Sequence, residues 1–148
     1  MPTHEVQNQV PRLVGHNLFT SDRVLTEALV REGAGWASDQ AEQLGARLGT
    51  AEVIDWGFEA NNNPPVLHTH DARGQRIDEV RFHPAWHELM SLSVSFGLHS
   101  LPWAQPRAGA HVARAAMFYL AGQNESGHGC PISMTYAAVP ALRRQPEV

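Results

Sequence analysis

The run Asn61-Asn62-Asn63-Pro64-Pro65 divides this 148-residue chain. Neither proline can donate to a helical ladder, and a residue before proline avoids helical angles, so a helix arriving from the N-terminal side must end at the asparagines. On that side, Thr20-Ser21-Asp22 offers capping oxygens ahead of Leu25, Ala28, Leu29 and Glu32, and Gly33 supplies a stop. A short first helix is predicted. Ser38 or Asp39 caps a second segment, where Asp39 and Glu42 have capping-box spacing before Leu44 and Leu48. Gly45 and Gly49 weaken it by about 1 kcal/mol each relative to alanine, unless a neighbour packs closely against them. Thr50 restarts the helix and carries Val53, Ile54, Trp56 and Phe58 as far as Asn61. Residues 1–20 follow neither the helical nor the strand period and are expected to form an extended arm, with 21–148 as the helical domain.

Beyond the break, a long connection runs from Pro64 to about Phe82. Within it Asp71-Ala72-Arg73-Gly74-Gln75 reads as a turn, so the loop has room for a small hairpin. A helix is expected from Pro84 to about Phe96, stopped by Gly97, followed by a loop from Leu98 to Pro106 around Trp103. Arg107 to Ser126 carries Val112, Ala113, Ala116, Met117 and Leu120 at helical spacing and ends at Gly127. The last helix is expected to start at Pro131 and to be kinked or ended by Pro140. No alternating run is long enough to force a sheet. The expected class is all-α, an irregular helical bundle with an N-terminal arm and a hairpin-bearing loop.

Composition removes several functions. Lysine is absent and all eleven basic residues are arginine, so neither a Walker phosphate loop nor a lysine Schiff base can be built. A formal net charge of -4 argues against a basic nucleic-acid face. The apolar stretch Ala108 to Ala121 is interrupted by His111 and Arg114 and is shorter than the ~20 residues that cross a bilayer. Cys130 has no internal partner, and MPTHEVQNQVPRLVG lacks a signal-peptide pattern, so a cytoplasmic location is expected.

The stretch Phe82-His83-Pro84-Ala85-Trp86-His87-Glu88 places two histidines four apart beside a carboxylate, the spacing of a helical zinc pair. Pro84 fits the first helical position, however, which makes His83 a cap outside the helix and weakens the same-face argument. Phe82 then reads as a hydrophobic staple toward Met90, with Glu88 complementing the helix dipole. His68-Thr69-His70-Asp71 favours a solvated loop over a metal site, and His111 and His128 favour structural roles near helix ends. Cys130, near the start of the last helix, is expected to be buried in preference to being a reactive thiol. The tryptophans Trp36, Trp56, Trp86 and Trp103 are expected to anchor packing. A small histidine-dependent metal enzyme is the weakest of the readings.

Taken in order, THEVQNQVPRLVGHNLFTSD, REGAGWASD, LGARLGTAEVIDWGFEANNNPP, RIDEVRFHPAWHELM, AHVARAAMFYL and GHGCPISMTYAAVPAL resemble the N-terminal part of the adaptive-response (AidB-like) branch of the acyl-CoA dehydrogenases, over Thr3 to Leu142. The resemblance implies the first, helical domain of a longer flavoprotein that continues into a small β-domain and a C-terminal helical bundle. It implies FAD-dependent α,β-dehydrogenation of an acyl-CoA-type substrate, a homo-oligomeric full-length form, and a role during DNA alkylation stress. The family's flavin-binding signature, catalytic glutamate and basic DNA-binding surface belong to regions outside this sequence. This chain alone is therefore expected to hold no FAD, to be inactive, and to have the absent β- and C-terminal domains as its partners, with DNA contacted only through them. By the same resemblance the last helix helps wall the acyl pocket, with Ile132, Met134, Thr135 and Ala138 as candidate lining residues. The alternative is that these four only fill the core. At the level of function, the alternative is a non-catalytic helical interaction or oligomerisation module.

Overall fold

The computed structural model describes residues 3–145 and 147. Asp22 accepts the Leu25 backbone N–H at 2.9 Å and so caps α1 (Arg23–Arg31), and the chain reverses at Gly33, whose φ of 79° suits a residue without Cβ. A 3₁₀ turn (Gly35–Ala37) then runs straight into α2 (Ser38–Leu48). The expected capping box does not form. Ala37 occupies the cap position without a side-chain bond, and the Ser38 hydroxyl donates back to the Gly35 carbonyl at 2.8 Å, because the preceding turn already leads into the helix. Thr50 does cap α3 (Ala51–Asn62), which ends at the asparagines before Pro64.

The glycines of α2 receive the arm. Leu18 N–H donates to Gly45 O at 3.1 Å, Gly15 N–H to Gly49 O at 2.7 Å, and the Asn17 amide to Glu42 O at 3.0 Å. A Cβ at Gly45 would lie 2.6 Å from the Phe19 nitrogen, and one at Gly49 would meet the His16 carbonyl. Close backbone approach therefore needs both glycines, and it buries Leu18 and Phe19 while residues 3–15 stay exposed.

The loop holds the hairpin. β1 (Val66–His70) pairs antiparallel with β2 (Arg76–Arg81) in the register Leu67↔Val80 and His68↔Glu79, with a bulge before His70↔Arg76 where Asp78 takes a φ of 46°. Asp71 Oδ1 accepts the N–H groups of Arg73 and Gln75 and closes the turn. α4 (Pro84–Ser95) starts at Pro84 as expected and lies along α3.

Three boundaries differ from the sequence expectation. A short helix, α5 (Leu101–Ala104), forms within the expected loop. α6 spans Ala110–Gly122 only, beginning after Gly109 at a φ of 76°. α7 (Gly129–Leu142) starts two residues before Pro131 and continues past Pro140. Pro131 is tolerated because the first helical turn has no use for its missing N–H. Pro140 cannot donate to the Tyr136 carbonyl, and the Trp103 indole N–H does so instead at 2.9 Å. The core is built from Leu29, Leu44, Leu48, Val53, Leu89, Leu98, Met117, Leu120 and Ile132, and the four tryptophans pack half-buried at its edges. No helix among the described residues is long and apolar enough to cross a membrane.

Candidate functional site

α7 has the sequence GCPISMTYAAVPAL, without a charged side chain. At 3.6 residues per turn, Ile132, Tyr136 and Val139 share one face, and Cys130, Met134, Ala137, Ala138 and Ala141 share the opposite one. The first face packs inward, with Ile132 2% exposed. The second faces outward, with Met134 68% exposed and Leu142 56% exposed at its flank. The four candidate lining residues are accordingly split between faces. Ile132 belongs to the core, whereas Met134, Thr135 and Ala138 are exposed, Thr135 with its hydroxyl donating to the Pro131 carbonyl at 3.0 Å.

Beside α7, α6 turns His111, Ala115 and Tyr119 outward at helical spacing, Tyr119 at 54% exposure. Arg114 is the only charged residue in the two helices, and it is buried. The exposed residues of α6 and α7 thus include no carboxylate, lysine or arginine. A helix that is apolar all round is normally enclosed.

A buried polar chain pins the start of α7 to α4. His128 Nδ1 and Glu125 Oε2 share a hydrogen bond at 2.9 Å, and His128 Nε2 and the Ser93 hydroxyl share another at 2.9 Å; His128 and Ser93 are each 3% exposed. The order hydroxyl, imidazole, carboxylate resembles a nucleophile with its base, yet the hydroxyl lies inside a helix and out of reach of substrate. Burial works to raise the Glu125 carboxyl. The backbone N–H groups of His128 and Gly127 and the His128 ring outweigh it, so the group ends below the ordinary carboxylate range. Neither Glu125 nor Ser93 was picked out from the sequence: Ser93 stands 35 residues from His128 and leaves no local pattern, whereas the three-residue spacing of Glu125 and His128 was a signal that could have been read.

The other sequence candidates resolve as follows. His83 caps α4, its Nδ1 accepting the Ala85 N–H at 3.3 Å from an extended backbone. The staple partner of Phe82 is Trp86, stacked at 4.1 Å, and not Met90, because Trp86 and His87 lie one turn into the helix, directly over Phe82. His68 and His70 lie on the exposed hairpin, and no three His, Cys, Asp or Glu residues among those described stand close enough to share a metal. His111 Nδ1 and the Tyr136 hydroxyl share a hydrogen bond at 2.6 Å. Cys130 is exposed, against the expectation of burial, because it falls on the outward stripe of α7. A cleft of about 280 Å³ lies where α3 ends and α4 begins, lined by Asn61, Phe82, His83, Trp86 and Glu125; none of the four α7 candidates borders it.

Residues 8–148 match the family model of the adaptive response protein AidB N-terminal domain. The chain is 52% identical over 141 residues to the putative acyl-CoA dehydrogenase AidB of Escherichia coli (strain K12), covering 95% of this chain and 26% of that protein. The solved structure of Bd2924 in its apo-form superposes with a TM-score of 0.81 at 27% identity, covering 94% of this chain and 28% of the other. Caenorhabditis elegans ACDH-11 in complex with C11-CoA superposes with a TM-score of 0.79 at 22% identity, covering 97% and 25% respectively, and that likeness speaks to the fold. The chain spans about a quarter of the length of these relatives.

Proposed function

The chain belongs to the family of adaptive response protein AidB N-terminal domains, and from this we propose that it is the first, helical domain of a FAD-dependent acyl-CoA dehydrogenase, with the outer face of α7 as one wall of the acyl-substrate cavity. The observation that carries the reading is the charge-free outer face of α6 and α7. An acyl tail needs adaptable apolar walls with few polar groups, and the thioether of Met134 beside the small Ala138 supplies such a surface. Ile132 supports it from behind as part of the core. The Thr135 hydroxyl is satisfied within the helix and adds no unpaired donor to the wall.

These residues fit one side of a flavin site. The outer face of α7 offers apolar contact for a flat ring, and the nearest cations in sequence, Arg143 and Arg144, lie beyond its C-terminal end. A bound flavin supplies the hydride-accepting chemistry, while the part of this chain is to exclude water and fix the tail. The reading includes a cytoplasmic location, which suits the unpaired Cys130, a homo-oligomeric full-length form, and a parent protein acting in the response to DNA alkylation, with DNA contacted through regions outside this chain.

Two measurements test it. The purified 148-residue chain should be colourless and inactive toward acyl-CoA with an artificial electron acceptor; stoichiometric yellow FAD surviving dialysis overturns the reading. In a full-length polypeptide made by joining this chain to the remainder of the E. coli relative, Met134→Trp should shift kcat/KM toward shorter acyl chains. An unchanged chain-length profile would remove Met134 from the wall. The same bare face also suits a helical interaction module, for which Met134→Trp would change self-association and leave chain-length preference alone.

A further inference from the structure

Arg114 is 9% exposed, and among the described residues no carboxylate lies within 4.0 Å of it. Its recorded partners are neutral: Nε donates to the Leu98 carbonyl at 2.8 Å, and Nη2 to the Ser133 hydroxyl at 3.4 Å. The guanidinium stacks on two rings, with its central carbon 4.2 Å from the centre of Phe118 and 4.3 Å from that of Tyr136. Stacking holds a cation but does not neutralise it, and a buried charge without a counter-ion is costly. Burial pushes this guanidinium below its ordinary pKa, although it stays charged.

The arrangement contrasts with that of six exposed arginines. Arg12, Arg23, Arg31, Arg47, Arg76 and Arg81 each pair with a carboxylate, and all six pairs are exposed. The one arginine inside the fold has none. Its unused edge is not sealed either: among the described residues the fully buried side-chain nitrogens and oxygens that lack a partner are His16 Nδ1 and His99 Nδ1, with no Arg114 atom among them. The α7 residues that Arg114 touches, Ser133 and Tyr136, are each only partly buried, so the guanidinium lies between α6 and α7 close to the surface.

We propose that Arg114 is a receptor for one carboxylate, an aspartate or glutamate side chain on the polypeptide that covers the outer face of α7 in the full-length protein. The inference rests on the reading above that this face is covered. A guanidinium with stacked faces can bond only in its own plane, which is how a carboxylate meets it through paired N–H groups. Charge selects the same partner. Arg114 is the only charge in the two helices, so a singly charged carboxylate balances the site, whereas a phosphate would leave excess negative charge in a dry interface.

The test compares Arg114→Met in the 148-residue chain and in the full-length chimaera joined to the remainder of the E. coli relative. Methionine fills the slot between Phe118 and Tyr136 without charge. In the chain alone, Tm should move by no more than about 3 °C; in the chimaera it should fall by roughly 5 °C or more, because a carboxylate is stranded in a covered interface. Equal shifts in the two proteins overturn the assignment. Met134→Glu in the chimaera serves as the control for the face itself. If it destabilises the chimaera while Arg114→Met acts equally in both proteins, the carboxylate is wrong and the covered face stands. If neither acts selectively on the chimaera, the covered face is wrong as well. An Arg114-dependent rise in the Tm of the chain alone in inorganic phosphate, absent in formate, also overturns the proposal by giving the site to a phosphate.

Discussion

At Glu125, burial and hydrogen bonding pull one carboxyl in opposite directions, and the outcome sets a pH dependence. Burial favours the neutral acid, but the N–H groups of His128 and Gly127 and the His128 ring bond to the charged form and prevail. A carboxyl whose folded pKa is depressed contributes stability that is fully present above its unfolded pKa and is lost as pH falls through the folded value. Urea midpoints followed from neutral pH to about pH 3 should therefore fall more steeply for the wild type than for Glu125→Gln, whose amide does not titrate. At neutral pH the substitution should cost about 1.5–3 kcal/mol, the range for a lost hydrogen bond to a charged group. Parallel curves for the two proteins would place the acid sensitivity elsewhere. Sequence reasoning named His128 and missed the chain of which it is the middle link. By contrast, the role of His83 was readable, because proline at the next position fixes where the helix begins.

Gly45 weakens the helix that contains it and, by doing so, attaches the arm to the body. Alanine there gains about 1 kcal/mol of helix propensity. Its Cβ would stand 2.6 Å from the backbone nitrogen and 2.9 Å from the Cβ of Phe19, on a segment whose Leu18 and Phe19 are part of the core. Gly45→Ala should therefore lower stability by about 1–2 kcal/mol in chemical denaturation, since overpacking outweighs propensity. Gly122→Ala is the matched control. At the end of α6 the nearest atom to an added Cβ is Ser126 Oγ at 4.0 Å, so a gain of several tenths of a kcal/mol is expected. A stabilised Gly45→Ala would mean that the arm does not need its groove. Most element starts were legible because they depend on one cap or one proline, as at Asp22, Thr50 and Pro84. The run of α7 through Pro140 was not, because a distant partner decides it. The bond that lets α7 run through Pro140 comes from Trp103, 33 residues before the Tyr136 carbonyl that it satisfies.

Across the whole molecule, charge is distributed unevenly, and the division coincides with the proposed function. Arm, hairpin and first helices carry six arginines in exposed carboxylate pairs, whereas α6 and α7 keep a single arginine inside and present Tyr119, Met134 and Leu142 to solvent. The absence of charge in GCPISMTYAAVPAL was visible in the sequence. Which half of that helix meets the core was not, because an apolar helix has no polar side to orient it: Ile132 went inward and Met134 outward within one turn. The consequence for the chain in isolation can be measured. An uncovered apolar face promotes association, so sedimentation or light scattering of the 148-residue protein should show mass rising with concentration. Met134→Glu places a charge at the centre of that face, at a residue already 68% exposed. It should return the protein toward monomer while changing stability by less than about 0.5 kcal/mol, as for surface substitutions in general. A wild-type chain that stays monomeric at high concentration, or a glutamate variant that associates just as strongly, would mean that this face is not the one the parent protein covers.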